Sequence, residues 1–407
     1  MPWEKLCFCC AMAILAWRPA AAPAQEMNAA GMYLMNLASG TSQNPASWTM
    51  PMRSTQPGQW SLMFMGVAFV SDIQQSGPHG GDKLFSTNWF MASAEHRAGA
   101  RGAFQAILML SLEPATITDR RYPLLFQTGE TAYGRPLVDA QHPHNLIMAL
   151  GFHYAYQLGE HTTLDAYAAP VGDPALGPVA FPHRASAMEF PQAPISHHWQ
   201  DSTHIADDVV TMGISHQKIK VEASGFHGAE PWENRWTIQA GPIDSWSARL
   251  WFFPAADWAM QVSTGRIAHP EALEPGDQER STASVHYTRP LPGGGWSSSL
   301  IWGRNHDTAT HRDSNSYLAE SMLPVRGRNY ISGRWELVDK DELFNPYIGT
   351  FRIAAYTLGY TRDVAQCDRI AAGIGVNFTA YGVPGEIRRY YGSRPVGGNL
   401  FVRFRLQ

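Results

Sequence analysis

The most constraining feature of the sequence is the alternation of side chains along its last ten residues. A strand points successive side chains to opposite faces, so residues 398–407 separate an apolar face from a face with two arginines. The apolar face carries Leu400, Val402, Phe404 and Leu406, and the other carries Phe401, Arg403, Arg405 and Gln407. This pattern is unusual for a soluble core and typical of a strand between lipid and a polar lumen.

The same alternation recurs through most of the chain. We predict about sixteen strands, with fourteen or eighteen as the alternatives, since a closed bacterial barrel requires an even number. They begin near residues 60, 84, 102, 145, 162, 208, 219, 244, 258, 280, 296, 315, 328, 352, 368 and 397. On the predicted strand that begins near residue 145, we expect one face to carry Leu146, Met148, Leu150, Phe152, Tyr154 and Tyr156.

Short and longer predicted connections alternate along the chain. Short turns fall at 98–101, 158–161, 217, 254–257, 291–295, 324–327 and 364–367. Mostly longer connections fall at 72–83, 114–144, 172–207, 228–243, 268–279, 307–314, 340–351 and 380–396. Short periplasmic turns alternating with longer outer loops are typical of transmembrane barrels. We therefore predict an all-β, transmembrane, antiparallel up-and-down barrel. The alternative is a soluble β-sandwich or propeller, whose strands also alternate.

The N-terminus predicts export. Lys5 precedes an uncharged apolar run at 6–17, and small residues at 22–24 predict signal-peptide cleavage before Gln25. The alternative, a membrane anchor, needs roughly 20 apolar residues. The predicted organisation is a signal peptide at 1–24, a loose Met-rich segment at 25–59 and an outer-membrane barrel at 60–407.

Composition narrows the classes of function. Outside the predicted signal peptide 29 basic and 34 acidic residues remain, so no basic excess indicates a nucleic-acid partner. Cys367 is the single cysteine of that part of the chain, which excludes an intrachain disulfide and a cysteine metal cluster there. The expected partners are outer-membrane lipid and a small solute or metal ion, with oligomerisation open.

The two longest outer loops carry the candidate metal ligands. Imidazole and carboxylate groups suit zinc, copper or nickel. The candidates are Asp139, His142, His144, His197, His198, Asp201 and His204. The Met-rich N-terminal segment adds five methionines whose thioethers favour Cu(I). They are Met27, Met32, Met35, Met50 and Met52. The alternative is that the histidines hydrogen-bond loop backbone and seal a lumen plug, with the methionines as flexible filler. A copper or zinc ion is thus a candidate cofactor, and we expect one of these loops to narrow the barrel mouth.

Charged side chains on the polar faces are candidates for a lumen constriction. The predicted set is Arg249, Arg334, Arg403, Arg405, Lys220, Glu222 and Glu336, with Lys218 and Glu320 beside it. Opposed basic and acidic walls tune ion selectivity in porins. The alternative, that these charges pair inside a filled barrel, stays open from sequence.

A hydrolase is the remaining alternative. Ser196, His197, His198, Asp201 and Ser202 contain the groups of a catalytic triad, but no nucleophile-elbow sequence accompanies them. We expect no catalytic residues and no enzyme.

Both long loops and the Met-rich segment resemble a family of uncharacterised bacterial outer-membrane proteins, porin-like barrels sometimes found beside copper-handling genes. The matching words are Leu112–Thr116, Tyr122–Leu125, Gln127–Glu130, Gln141–His144, Pro194–Trp199, Asp201–His204, Asp244–Leu250, Gly31–Met35 and Ala38–Ser42. The resemblance implies an outer-membrane barrel and carries no established activity.

The expected function is a porin-like channel for small solutes, linked to a transition metal through histidine-rich outer loops that act as a selectivity gate. A plugged binding or structural barrel without transport is the second expectation.

Overall fold

The computed structural model describes residues 27–273, 276–291 and 294–407. The predicted signal peptide at 1–24 and its cleavage position lie outside these residues, as do Gln25 and Glu26. The described part of the chain has no helix that is long and apolar enough to cross a membrane.

Within the described residues the chain forms nineteen strands and four short α-helices. The strands are β1 (Arg53–Thr55), β2 (Trp60–Gln75), β3 (Gly81–Ala98), β4 (Gly102–Leu110), β5 (Tyr122–Ala132), β6 (Arg135–Gln141), β7 (Ile147–Gly159), β8 (Thr162–Gly172), β9 (Ala206–His216), β10 (Ile219–His227), β11 (Ser245–Phe252), β12 (Trp258–Ile267), β13 (Gln278–Leu291), β14 (Gly294–Asp307), β15 (Asp313–Val325), β16 (Asn329–Lys340), β17 (Phe351–Cys367), β18 (Ile370–Gly382) and β19 (Val396–Leu406). The helices are α1 (Ala29–Met35), α2 (Glu113–Thr116), α3 (His197–Gln200) and α4 (Arg388–Tyr391).

Sixteen of the described strands close into one antiparallel barrel. Each pairs with the next along the chain, β4 pairs with β7 across the β5–β6 hairpin, and β19 pairs with β2 to close the ring. The short β1 adds to the edge of β2 beyond the end of β19, pairing Arg53 with Phe64. The predicted strand number and fold class are confirmed, and every predicted strand start lies within three residues of the observed one.

Loop lengths follow the predicted alternation. One end has the short turns 99–101, 160–161, 217–218, 253–257, 326–328 and 368–369, and only two residues separate β13 from β14 at the same end. The other has the connections 76–80, 111–146, 173–205, 228–244, 268–277, 308–312, 341–350 and 383–395. The connections 76–80 and 308–312 are shorter than predicted, because their flanking strands are longer than predicted.

The two faces of the wall separate as predicted. On β19, Leu400, Val402 and Phe404 are 58%, 36% and 44% exposed, whereas Arg403 is fully buried. Apolar side chains are exposed around the whole ring, from Val70 on β2 to Phe378 on β18. The outside is therefore an apolar belt that suits lipid.

One facial prediction is wrong. Met148 is 1% exposed and lies in a buried cluster inside the barrel, opposite in direction to the exposed Phe152 and Tyr154. The pairing of β7 with β4 shifts register at Met109 and Leu110, and its pairing with β8 shifts beyond Leu150. A β-bulge turns the strand by one residue, so strict alternation assigns the wrong face beyond it.

The loop 173–205 folds into the barrel and crosses its lumen. Almost every residue of the loop is buried. Its backbone carbonyls accept hydrogen bonds from the wall, including Gly177 from Arg249 and Pro191 from Thr87. The prediction that a long outer loop folds into the mouth is confirmed.

The N-terminal segment also lies in the lumen, near the short-turn end. Asn28 caps α1, accepting from the Gly31 N–H, and donates to the Gly102 carbonyl at 2.9 Å. The Tyr33 hydroxyl donates to Asp165 on β8 at 2.7 Å. The predicted loose segment is therefore an ordered part of the plug, because wall and loop supply partners that sequence periodicity does not show.

An apolar cap closes part of the outer mouth. The hairpin of β5 and β6 packs Leu124, Leu125 and Phe126 against the upper ends of the wall and against Tyr391 of α4. The rings of Phe126 and Tyr391 lie 4.4 Å apart. The same hairpin also carries Gly129 and Glu130, which lie against His198 and His142.

Candidate metal centre and lumen charges

Five of the predicted histidine ligands come together where the two long loops meet. The ring of His197 lies 5.2 Å from the rings of both His198 and His204. His142 lies 5.7 Å from His198, and His144 lies 5.4 Å from His204. We call these five residues the histidine cluster. Its members are separated by up to 62 positions in the sequence, so only the infolding of loop 173–205 brings them together.

Four of the five rings are oriented by hydrogen bonds at Nδ1, including His142 to the Pro143 carbonyl. His144 bonds to Glu113 at 3.0 Å, His197 to the Asp201 carboxylate at 2.7 Å, and His204 to the Asp201 carbonyl at 2.8 Å. Carboxylate and carbonyl oxygens only accept, so Nδ1 carries the proton and Nε2 holds the lone pair when the ring is neutral. Histidines that bind metals are oriented in this way.

Burial keeps several of these rings neutral. It lowers the pKa of His142, His198 and His204 well below the usual range, and the neighbouring imidazoles act in the same direction. Burial also lowers the pKa of His197, against the opposing effect of Asp201. Neutral imidazole is the form that binds metal ions.

His198 faces two carboxylates from neighbouring outer loops. Its Nδ1 lies 3.4 Å from Glu230 and 3.8 Å from Glu271, and ligand atoms of the three residues lie within 4.8 Å of one another. Burial raises the pKa of Glu230 to about 7. Neither ring nitrogen of His198 has a hydrogen-bond partner within the described ranges. One imidazole and two carboxylates form a donor set that suits a divalent transition metal.

His142 presents a second imidazole beside this group. Its Nδ1 lies 3.1 Å from the Pro143 carbonyl, which only accepts. Its Nε2 lies 3.1 Å from Glu130, which also pairs with Arg235. A neutral ring then directs a lone pair at a carboxylate, an arrangement that a bound cation would stabilise.

Gly129 permits the close approach of the hairpin to the histidine cluster. Its φ is +107°, and a Cβ added there would collide with the His198 ring. Only glycine adopts this backbone without strain and leaves room for the imidazole. The local geometry of the hairpin is thus matched to the position of His198.

Asp139 and Asp201, both predicted as metal ligands, have other partners in the structure. The carboxylate of Asp139 engages His79, Tyr391 and the backbone N–H of Phe126, at 2.9, 3.0 and 2.7 Å, instead of the cluster. Asp201 lies at the cluster and holds His197 in place. Although burial acts to raise it, His197 and Arg184 hold the pKa of Asp201 below its usual range.

Sequence reasoning missed the carboxylates that complete the site. They are Glu113, Glu130, Glu230 and Glu271, which come from three different outer loops. Two of them, Glu113 and Glu130, lie in sequence segments that carry the family resemblance. The loop positions of Glu230 and Glu271 have no spacing signal, since their contact depends on how the loops fold.

The first group of predicted lumen charges forms a buried network with the plug. Glu222 accepts from Lys220 at 2.6 Å and from Arg249 at 2.8 Å. Lys220 also donates to the Thr41 carbonyl at 2.8 Å, and Arg249 donates to the Thr41 hydroxyl at 3.1 Å. These charges therefore attach the N-terminal segment to the wall.

The second group attaches loop 173–205. Arg403 and Arg405 both pair with Glu189, the latter at 2.9 Å, and the Ser196 hydroxyl donates to Glu336 at 3.0 Å.

Glu320, buried between two arginines, accepts from Arg184 of the loop at 2.5 Å and from Arg334 at 2.9 Å. Of the two readings left open by the sequence, pairing inside a filled barrel describes this structure. Lys218 is exposed at a short turn and donates to the Pro254 carbonyl, so its prediction as a lumen charge is wrong.

The serines considered for a hydrolase have other partners. The Ser196 hydroxyl lies 3.3 Å from Gln200 besides its bond to Glu336, and the Ser202 hydroxyl accepts from Arg280 at 2.9 Å. Neither forms a serine–histidine pair in the described part of the chain. The geometry therefore gives a hydrolase no support.

No protein-family model matches the sequence, and no curated protein matches it either. Solved structures of bacterial porins are similar to the barrel. OmpF of Salmonella typhi, in complex with daunomycin, has a TM-score of 0.55 and 8% identity, covering 87% of this chain and 100% of that chain. The anion-selective porin from Comamonas acidovorans has a TM-score of 0.52 and 10% identity, covering 85% and 99%.

The trimer form of OmpT from Vibrio cholerae has a TM-score of 0.50 and 8% identity, covering 86% and 100%. At these identities the likeness shows the fold. It confirms the porin-like part of the family resemblance and gives no support to the copper association. With its closed ring and apolar belt, the chain is a porin-like β-barrel of the bacterial outer membrane.

Proposed function

We propose that this barrel captures a transition-metal ion at the histidine cluster of its outer mouth. The observation that carries the proposal is the convergence of five histidines, four with Nδ1 anchored and one, His198, facing Glu230 and Glu271. Buried polar groups without partners are rare in folded proteins, so unpartnered nitrogens in such a cluster favour a cation as the missing partner.

The donor set narrows the class of ion. Imidazole nitrogens with carboxylate oxygens suit Zn(II), Cu(II) or Ni(II) better than magnesium or calcium, which prefer oxygen ligands alone. Copper is the ion that the family resemblance favours. Binding would release the proton that Glu230 holds near neutral pH, because its pKa is raised to about 7 by burial.

The filled lumen limits how an ion or a small solute could pass through the barrel. Loop 173–205 and the N-terminal segment occupy the space that an open porin leaves to water, so bulk passage requires one of them to move. The histidine cluster stands at the entrance to that plug and would act as a selectivity gate. A binding barrel without transport is the second candidate, and the ion pairs that attach the plug favour it.

Metal retention tests the capture step. The purified full-length barrel in detergent is loaded with Zn(II) or Cu(II), desalted and analysed for bound metal. We expect about one ion or more per chain in the wild type and loss of most of it in the double variant His142→Ala/His198→Ala. His269→Ala is the matched control, since that outer-loop imidazole is 77% exposed and lies outside the cluster.

Barrel folding of each variant is checked by its heat-dependent mobility in gels. Capture is refuted when the folded wild type retains no metal, or when the double variant retains as much as the control.

A further inference from the structure

A row of methionines crosses the inner wall of the barrel below the histidine cluster. Met65 on β2 pairs directly with Met91 on β3, and Met91 pairs directly with Met109 on β4. Directly opposed residues of an antiparallel pair have Cβ atoms about 5 Å apart. Met148 of β7 joins the same buried cluster through the bulge beside Met109. We call these four residues the methionine row.

The row is inside the barrel and shielded from lipid. Its four side chains are 1% to 7% exposed. Met50 and Met52 of the N-terminal segment pack against it from within the lumen. Two of the methionines predicted as soft ligands thus meet four that were not predicted, and all six lie away from the lipid-facing belt.

His183 of the inserted loop adds a nitrogen to this sulfur-rich surface. Its Nε2 lies 3.2 Å from the Met109 sulfur, and its ring lies 4.7 Å from the Trp89 ring. Its Nδ1 has no hydrogen-bond partner in the described part of the chain, although the residue is 3% exposed. Burial lowers the pKa of His183 to about 4, so the ring is neutral at physiological pH.

Three cavities lie beside the methionine row. A cavity of about 50 Å³ at the mouth reaches His142, His144 and His183. A cavity of about 20 Å³ shares His183 and extends to Met91, Met109 and Met148.

Towards the short-turn end a cavity of about 180 Å³ shares Met91. Six of its lining residues are methionines, namely Met35, Met50, Met52, Met63, Met65 and Met91. Adjacent cavities thus have lining residues in common, and thioethers line the two deeper ones.

Thioethers and neutral imidazole select soft metal ions. Methionine also serves as flexible apolar filler, but this interpretation explains only why the four side chains are buried. It does not account for the position of the row on the polar side of a barrel wall, for the cavities beside it, or for the unpartnered nitrogen of His183.

We propose that the methionine row and His183 form a second metal site, inside the lumen, for a soft monovalent cation such as Cu(I) or Ag(I). The row stands between the outer mouth and the methionine-lined cavity near the other end, so the site lies on the path that the cavities mark. It uses none of the ligands of the histidine cluster, and each proposal stands or fails on its own.

Silver nitrate tests this site without redox chemistry. The full-length barrel is labelled with ¹³C at the methionine methyl groups and titrated with Ag(I) in a chloride-free and thiol-free buffer. We expect the methyl signals of Met65, Met91 and Met109 to shift, since each methyl carbon is bonded to the coordinating sulfur. Substitution of each residue by leucine assigns its signal.

The triple variant Met65→Leu/Met91→Leu/Met109→Leu removes three sulfurs and keeps apolar volume. We expect silver affinity, measured by calorimetry, to fall at least tenfold. Met322→Leu is the matched control, since Met322 is also buried and faces inward, but lies on β15. If the triple variant does not fold, the single variant Met91→Leu, at the centre of the row, is measured in its place.

Silver binding that is equal in the row variant and the Met322→Leu control, or methyl signals of the row that do not move, overturns the proposal. The double variant His142→Ala/His198→Ala separates the two sites. It should keep silver binding at the row even where it loses zinc, so failure of one site is distinguishable from failure of the other.

Discussion

The two halves of the inner wall differ in chemistry. From β10 to β19 the wall carries charged side chains that pair with each other and with the plug, as in the contacts of Glu222, Glu320 and Arg403. The wall of β2, β3, β4 and β7 carries the methionine row. One half fixes the plug by directional ionic contacts, and the other packs against it through flexible thioethers.

The difference explains where the lumen retains space. Buried arginine–carboxylate pairs need fixed geometry, so the charged half holds loop 173–205 closely. Methionine has rotatable, unbranched side chains and tolerates irregular packing. The cavities of about 180 Å³ and 20 Å³ both lie along the methionine half. An ion that crosses the barrel without removal of the plug would therefore follow this half.

The largest effect is expected from the charged half. Glu320→Gln removes the carboxylate shared by Arg184 and Arg334 and leaves both guanidinium groups buried without it. Breaking a buried ion pair in this way costs about 3–5 kcal/mol. We expect a much lower urea midpoint for unfolding in detergent.

The matched control is Asp313→Asn on the same strand, which removes an exposed pair with Arg304 and should change the midpoint little. Equal midpoints for the two variants would show that the buried network does not hold the plug.

A smaller, pH-dependent effect is expected where the two plug segments meet. Asp173 accepts from the Ser39 hydroxyl at 2.7 Å, and burial raises the pKa of Asp173 to about 7. The folded protein keeps this proton up to about pH 7, whereas the unfolded chain loses it near pH 4, so stability falls as pH rises between these values.

Asp173→Asn removes this titration. Each pKa unit corresponds to about 1.4 kcal/mol, so the loss of stability between pH 5 and pH 7 should be about 2 kcal/mol smaller in the variant. Denaturant unfolding at the two pH values measures it. Parallel pH curves for wild type and variant would contradict a buried, protonated Asp173.

The smallest effect on stability is expected from the methionine half. Met91→Leu conserves volume and apolar character, and such swaps usually cost less than about 1.5 kcal/mol. The variant should unfold at nearly the wild-type urea midpoint while its silver binding weakens. A loss of stability as large as that of Glu320→Gln would show that the row is needed for packing and would remove the contrast between the two halves.

Period-two alternation of side chains and the alternation of short and longer connections were sufficient to predict the barrel, because lipid on one side and a polar lumen on the other act on every strand. The pattern failed at Met148, where a bulge reverses the facing without leaving a mark in the sequence. The charged lumen residues were predicted, but their partners Glu189 and Arg184 were not, since these come from an infolded loop.

The candidate site was predicted in part for the same reason. His142, His144, His197, His198 and His204 stand in two loops that flank one hairpin, so their proximity follows from topology. Glu230 and Glu271 come from other loops and meet His198 only through tertiary packing. Asp139 was misassigned because its φ of 57° and its bond to the Phe126 N–H hold it in the apolar cap, a local geometry that spacing does not reveal.

The central claim is that ordered segments of the chain fill the lumen and are fixed by one half of its wall. Planar-bilayer recording of the intact barrel in potassium chloride tests this claim most directly. The account predicts no steady open-pore current for the wild type and a stepwise conductance after deletion of residues 176–200. A steady, porin-sized conductance of the intact protein would contradict it.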